Sequence, residues 1–404
     1  MPLRRKLTWV AVLYLAEGFP FGLVIDNLPV YFRAHGVSLT EIGMLSILGL
    51  PWTLKVFWSP VVDRFGERRH WITGALLVMT LATAAIPLAD PEAPGAFLWT
   101  VLLVLTIASA TQDVAIDAYT IGLLAPGEEG VANGVRVSAY RAALILSGGA
   151  LVILAGRLGW APVFWIAAAM LAALAAAAWR APHVPHVRQP TAAWLRAMGA
   201  WLARPGAPFV LGFVLIYKLG DASMGPMVKP FWLDSGLSVE EIGAVSTTVG
   251  VGASVAGALA GGVFTSRYGI FRGLWMLGAA QALSNLGYAG AAALGGGRAA
   301  IYSASVVESF TGGLGTAAFL AFLMHVCERD QAATQYALLS ALFGLTRSLA
   351  GAVSGAGATS LGYAPYFTLT FFLAFPAYAL LPWVRAWIHD RPTHAPAAST
   401  ASPG

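Results

Sequence analysis

The sequence predicts an all-α integral membrane protein, with twelve transmembrane helices in two pseudo-symmetric six-helix bundles. Three observations carry that prediction. Hydrophobic residues make up 58% of the 404-residue chain and charged residues only 11%, against about 25% charged in a soluble domain. Apolar stretches close to the ~20 residues that a bilayer core demands recur along its length. The second half of the chain also repeats short segments of the first half in the same order.

The first six spans are predicted near 8–32, 41–62, 71–89, 97–124, 131–156 and 160–179, and the second six near 208–232, 241–264, 271–294, 299–326, 333–359 and 363–388. The Met1–Lys6 start resembles the basic end of a signal peptide. The apolar run behind it reaches Phe32 and contains Glu17 and Asp26, too long and too polar for a cleaved segment, so it is read as the first span. The bundles then occupy 1–180 and 208–390, joined by an Arg- and Pro-rich cytoplasmic linker at 181–207. The tail at 391–404, rich in Ala, Pro, Ser and Thr, is expected to be disordered.

Lysine and arginine set the orientation. Segments on the side of the N-terminus carry fifteen of them, while the opposite side carries Arg33, Arg157 and Arg298. Both termini are therefore expected in the cytoplasm, with the lipid bilayer as the first partner and a monomer as the expected state. The net charge of +5 follows from those loops; no basic tract with interleaved aromatics points to nucleic acid. The lone Cys327 excludes an intramolecular disulfide. His183 and His186 lie in the linker without further ligands, and no HExxH, GxSxG or haem motif occurs, so no metal, cofactor or enzyme chemistry is expected.

The repeat is explicit. Gly36–Ser46 (GVSLTEIGMLS) recurs 200 residues later as Gly236–Ser246 (GLSVEEIGAVS). Arg64-Phe65-Gly66 recurs as Arg267-Tyr268-Gly269, and Leu158-Gly159-Trp160 as Leu361-Gly362-Tyr363, each 203 residues on. Two parallel six-helix halves with a solute site between them is the major facilitator architecture. The loop after span 2, from Ser59 through Asp63, Arg64 and Arg68 to Arg69, resembles the inner-loop signature of that superfamily, with Ser59 in place of its leading glycine. Asp63, Arg64, Arg68 and Arg136 are thus candidate gating residues. Ser266 stands where the second half would repeat Asp63, so such a lock is one-sided. A purely topogenic basic loop is the alternative.

Twelve ionisable residues fall inside predicted spans: Glu17, Asp26, Asp113, Asp117, Asp221 and Glu308, with Lys55, Arg136, Arg141, Lys218, Lys229 and Arg347. Each costs roughly 2.5–3.5 kcal/mol at the bilayer centre, so they are expected to face a polar interior and pair with one another. Asp113 and Asp117, four apart, share one face of span 4. They are candidate proton carriers together with Asp221 and Glu17, and Arg136 and Arg141 of span 5 are their expected partners. The other reading of these charges is a fixed ion-pair network joining spans 4 and 5. Lys218 and Asp221, one turn apart, either neutralise each other or divide when an anion binds. Lys229 and Asp26 are read as lying near the outer surface, with Lys229 snorkelling. Arg141 and Arg347 stand at comparable depth in the two halves, as a clamp for an anion would. Gln112, Tyr140, Asn285, Glu308 and Gln335 complete the candidate binding set, the amides serving equally well as helix–helix contacts.

At these residues the chain resembles the AmpG-like muropeptide permease family. The resemblance runs through most of both halves: the Leu50-Pro51-Trp52 stretch ending at Arg64, Ser109–Tyr119 (SATQDVAIDAY), Tyr140-Arg141, Tyr217–Ala222 (YKLGDA), Ser284–Tyr288, Gly312–Cys327 (GGLGTAAFLAFLMHVC) and Ala333–Leu342 (ATQYALLSAL). It implies a permease of the bacterial inner membrane that imports anhydromuropeptides, anionic glycopeptides or disaccharides, driven by the proton gradient, for cell-wall recycling. The chain departs from the family at Glu17, where a small or neutral residue is expected, and at Val245-Ser246-Thr247, where Asn-Lys is expected. A siderophore or another anionic solute is the alternative cargo. A membrane-embedded enzyme and a non-transporting sensor with frozen ion pairs are the alternatives of other classes.

Overall fold

The computed structural model describes residues 1–125, 128–184, 199, 202–327 and 332–389. Most of the predicted linker, including His186, and all of the predicted tail lie outside them. The described residues form helices and turns, with no strand among them. Ten helices are long and apolar enough to cross a membrane. In chain order with two further segments they are α1 (Leu3–Ala34), α2 (39–64), α3 (Arg68–Leu88), α4 (Ala96–Leu123), α5 (Val131–Leu158), α6 (Trp160–Trp179), α7 (Ala207–Asp234), α8 (Val239–Tyr268), α9 (Ile270–Leu294), α10 (Gly297–Val326), α11 (Gln335–Leu361) and α12 (Tyr363–Ile388).

The two segments that fall short of the ten differ from the prediction for distinct reasons. Segment α2 alternates short α and 3-10 pieces around Pro51 and Pro60, where the missing amide hydrogens interrupt the ladder. Helix α9 is continuous over 25 residues but buries Gln281, Ser284 and Asn285, which lower its apolarity.

The sequence repeat is a repeat of turns. Gly36 and Gly236 both have φ of +79°, and each is followed by a complete capping box, Ser38 with Glu41 and Ser238 with Glu241. Gly66 and Gly269, then Gly159 and Gly362, are likewise in the left-handed region. The positions that recur are those where the chain must reverse between antiparallel helices in a conformation that only glycine adopts cheaply.

Within each half the helices pack as neighbours, α1 on α4 and α5, α3 on α4 and α6, and α10 on α8 and α9. The halves meet chiefly through α1 with α7, α2 with α11, and α5 with α8, with a smaller contact of α2 on α7. These contacts lie toward the face opposite the N-terminus, that of α2 with α11 running on to Thr53 and Gly344, and glycines line them. A Cβ on Gly43 would lie 2.7 Å from the Gly355 nitrogen, one on Gly243 would lie 2.7 Å from the Gly149 carbonyl, and one on Gly355 would collide with the Leu39 carbonyl. One apolar core runs through the first half and continues across this seam to Met224, Phe231 and Trp232. A second core, around Phe213, Phe319, Phe322 and Val384, fills the N-terminal-face end of the second half alone. The halves are thus welded on one face and separate on the other.

Candidate functional site

Between the halves lies a cavity of about 1540 Å³. Its closed end is formed by Asp26, Ile42 and Lys229, and its lining extends to Leu124 and Asn133 at the N-terminal-face ends of α4 and α5 and to Tyr336 on α11. The open mouth is therefore on the face that bears the N-terminus.

The wall from the first half is a charge network. Glu17 of α1 and Asp113 and Asp117 of α4 bring one carboxylate oxygen each within 4.8 Å of the others. The ammonium of Lys55, on the 3-10 piece of α2, is ion-paired with Asp113. Arg136 of α5 lies 3.2 Å from Asp117, and its guanidinium sits 4.6 Å from the Tyr14 ring centroid. The Tyr14 hydroxyl donates to Asp117 at 2.7 Å. Asp117, Arg136, Lys55 and Tyr14 line the cavity, whereas Glu17 is buried behind them. Three carboxyls this close have the spacing of a cation site, and the two basic side chains already occupy two of them.

The rest of the predicted set divides by position. Arg141 and Arg347, from opposite halves, line the same cavity. The Arg347 guanidinium lies 5.6 Å from the Phe21 ring centroid, and Phe21 contacts Trp52 at 5.2 Å and Tyr140 at 6.1 Å. Asp221 and Glu308 line the cavity on the other side. Lys218 is buried behind that wall at the break between the two parts of α7; its ammonium donates to Gln281 at 2.6 Å and Thr316 at 3.0 Å, with Asp221 at 3.8 Å. The amides stand away from the cavity: Gln112, Asn285 and Gln335 are all buried, and Asn285 donates to Thr370 at 3.2 Å. Arg64 is exposed near Phe65, and Arg68 lies at the start of α3. The Asp63 side chain is outside the described residues. The acid that organises this loop is Glu67, 2.7 Å from Arg69 and 3.3 Å from His183; the His183 hydrogen bond and nearby positive charge hold its carboxyl below the usual range.

Two readings are corrected. Lys229 does not snorkel: it is buried and pairs with Asp26 at 2.5 Å, also reaching the Asp26 carbonyl at 3.1 Å. The pair joins α1 to α7 and roofs the cavity. Asp113 takes Lys55 of α2 in place of an arginine of α5. Sequence reasoning also passed over Phe21, Trp52 and Tyr14 as site residues; only their proximity in sequence to Glu17 and Lys55 signalled them.

Residues 10–218 match the profile of the Major Facilitator Superfamily. The chain is 31% identical over 381 residues to the anhydromuropeptide permease of Escherichia coli K12, covering 92% of this chain and 78% of the relative. The chain belongs to the AmpG-like permease family of that superfamily. A putative AmpG transporter of Rickettsia felis is 27% identical over 398 residues, covering 94% of this chain and 96% of the relative. Among solved structures, a bacterial homologue of the human lysosomal transporter Spinster superposes with a TM-score of 0.75 at 16% identity, over 97% of this chain and 98% of that one. This likeness carries the fold. As in other members of the superfamily, the cavity of this AmpG-like chain lies where its two halves meet.

Proposed function

We propose that this permease imports anhydromuropeptides, N-acetylglucosaminyl-anhydromuramyl sugars with or without peptide, across the bacterial inner membrane in symport with protons. The observation that carries the reading is one cavity walled by Arg141 and Arg347 from opposite halves, with Phe21 and Trp52 in its lining and Arg347 over the Phe21 ring. Arginine recognises carboxylates bidentately, and aromatic rings offer flat apolar faces to sugars. The E. coli relative named for anhydromuropeptides supports this class of cargo.

The Lys/Arg bias supports a cytoplasmic N-terminal face. The cavity then opens inward, as it must to release cargo there. In the complete cycle the halves rock about the cavity, opening it to the periplasm and then to the cytoplasm. Substrate binding draws Arg141 and Arg347 together across the two halves, and proton uptake in the acidic network accompanies it. Nothing in this scheme requires a cofactor or an enzymatic step.

Calorimetric titration of the purified permease tests the cargo. Anhydromuramyl disaccharide is expected to bind, and Arg141→Ala or Arg347→Ala to weaken binding about 10- to 100-fold, the value of a charge-assisted hydrogen bond of roughly 1.5–3 kcal/mol. Binding of a ferric siderophore with no response to the disaccharide would overturn it in favour of the other anionic cargo.

A further inference from the structure

The acidic network has one carboxyl more than it has bases. Asp113 is paired with Lys55, and Asp117 with Arg136 and the Tyr14 hydroxyl. Glu17 differs: no basic side chain among the described residues forms an ion pair with it, and its buried Oε2 has no hydrogen-bond partner. It is only 8% exposed, and one oxygen of its carboxyl lies within 4.8 Å of an oxygen of Asp113 and of Asp117. Three carboxyls gathered this closely around two bases leave one negative charge uncompensated, and protonation of one carboxyl removes it.

Exposure is graded along the network. The Asp117 side chain is 36% exposed at the cavity wall and Asp113 is 13% exposed, with Glu17 innermost. The charged and titratable groups around Glu17 are Tyr14 on its own helix, Lys55 from α2, Asp113 and Asp117 from α4, and Arg136, Tyr140 and Arg141 from α5, with Arg347 of α11 reaching the neighbouring Phe21.

We propose that Glu17 is the residue that holds the coupled proton, with Asp117 as its port to the cavity and Lys55 as the group that passes its arrival on to the substrate. The assignment rests on the proton-symport reading above and decides which acid performs it. A proton from cavity water enters on Asp117 and moves to the Glu17–Asp113 pair, while Asp117 returns to its carboxylate form. When the proton is shared with Asp113, the attraction that holds the Lys55 ammonium weakens. Lys55 lines the cavity and turns toward the incoming anion; loss of the proton to the opposite side reverses the exchange. No covalent bond other than O–H changes.

Infrared difference spectroscopy reads this without any substrate. A carbonyl band of a protonated carboxylic acid, shifted by deuteration, is expected in the parent protein, absent in Glu17→Gln and retained in Lys55→Gln. In proteoliposomes, Glu17→Gln is expected to exchange anhydromuropeptide across the membrane at a rate independent of pH while losing all gradient-driven accumulation; Glu17→Asp is expected to restore part of it. Lys55→Gln is expected to remove the pH dependence of substrate affinity. A band that persists in Glu17→Gln, accumulation by that variant, or a sodium gradient that drives uptake in place of protons would overturn the assignment. Should Glu17→Gln fail to fold, the band of Glu17→Asp decides: an unshifted band contradicts the proposal and a shifted one supports it. A Glu17-dependent band in a protein that moves no anhydromuropeptide would leave the proton site standing and remove only the cargo.

Discussion

Every ionisable side chain of the membrane-spanning region described above stands near the cavity or in a pair, as the cost of an isolated charge in a bilayer requires. The clearest case is the roof. Lys229 and Asp26 are 2.5 Å apart and mostly buried, so removing one leaves the other as an unpaired buried charge, at a cost of about 3–5 kcal/mol. Lys229→Ala is therefore expected to lower the thermal transition markedly, and the double variant with Asp26→Ala to recover most of the loss. A melt of the four proteins checks it: equal destabilisation by single and double variants would show that the pair is not coupled. The sequence displayed these residues but not their pairing. Lys229 sits three residues from the end of a predicted span, where snorkelling is the ordinary expectation, and only the approach of α1 to α7 makes it a buried partner. The Asp113 partner escaped for the same reason, because the 3-10 turn that presents Lys55 is invisible to hydropathy.

The same separation of local from long-range information holds for whole helices. The repeated segments were legible as repeats, and their physical meaning is local chemistry: Gly36, Gly159, Gly236 and Gly362 all take the left-handed conformation at turns. Span existence was legible from apolar length, except that α2 is interrupted and α9 carries buried polar groups. The contacts between halves were not legible, since they depend on which small residues face one another. Gly43 and Gly355 let α2 and α11 touch. Gly43→Val is expected to hold these helices apart and slow transport at least tenfold while the halves still fold; cysteine cross-linking between the ends of α2 and α11 would report the lost approach. The same face is latched by Arg33, whose two nitrogens each lie 2.7 Å from an Asp234 oxygen, and by the Tyr363 hydroxyl, 2.6 Å from Asp234. This partly exposed contact is worth about 1 kcal/mol. Arg33→Ala is expected to raise the population open on that face roughly fivefold, measured as spin-label distances between the α1–α2 and α7–α8 turns. An unchanged distance distribution would mean that the latch is incidental.

For the molecule as a whole, a duplicated six-helix unit with a charged interior follows from the chain itself, and the fold places the two halves around one cavity. The charge inventory of the interior was equally available, with six acids and six bases, but its distribution was not. The first half keeps the three-carboxyl network, and the second half contributes Arg347 and the buried Lys218 with Asp221 and Glu308, so under the proposed symport proton and cargo would be handled on adjoining walls of one space. That adjacency is the basis of coupling in this account: substrate and proton must bind and leave together because Lys55, Asp113 and Glu17 connect their sites. The measurement that tests it most directly is uptake of labelled anhydromuropeptide into proteoliposomes, with and without an imposed inward proton gradient. Accumulation above the external concentration, abolished when the gradient is collapsed, is the predicted result. Uptake that only equilibrates the label, whatever the gradient, would contradict it.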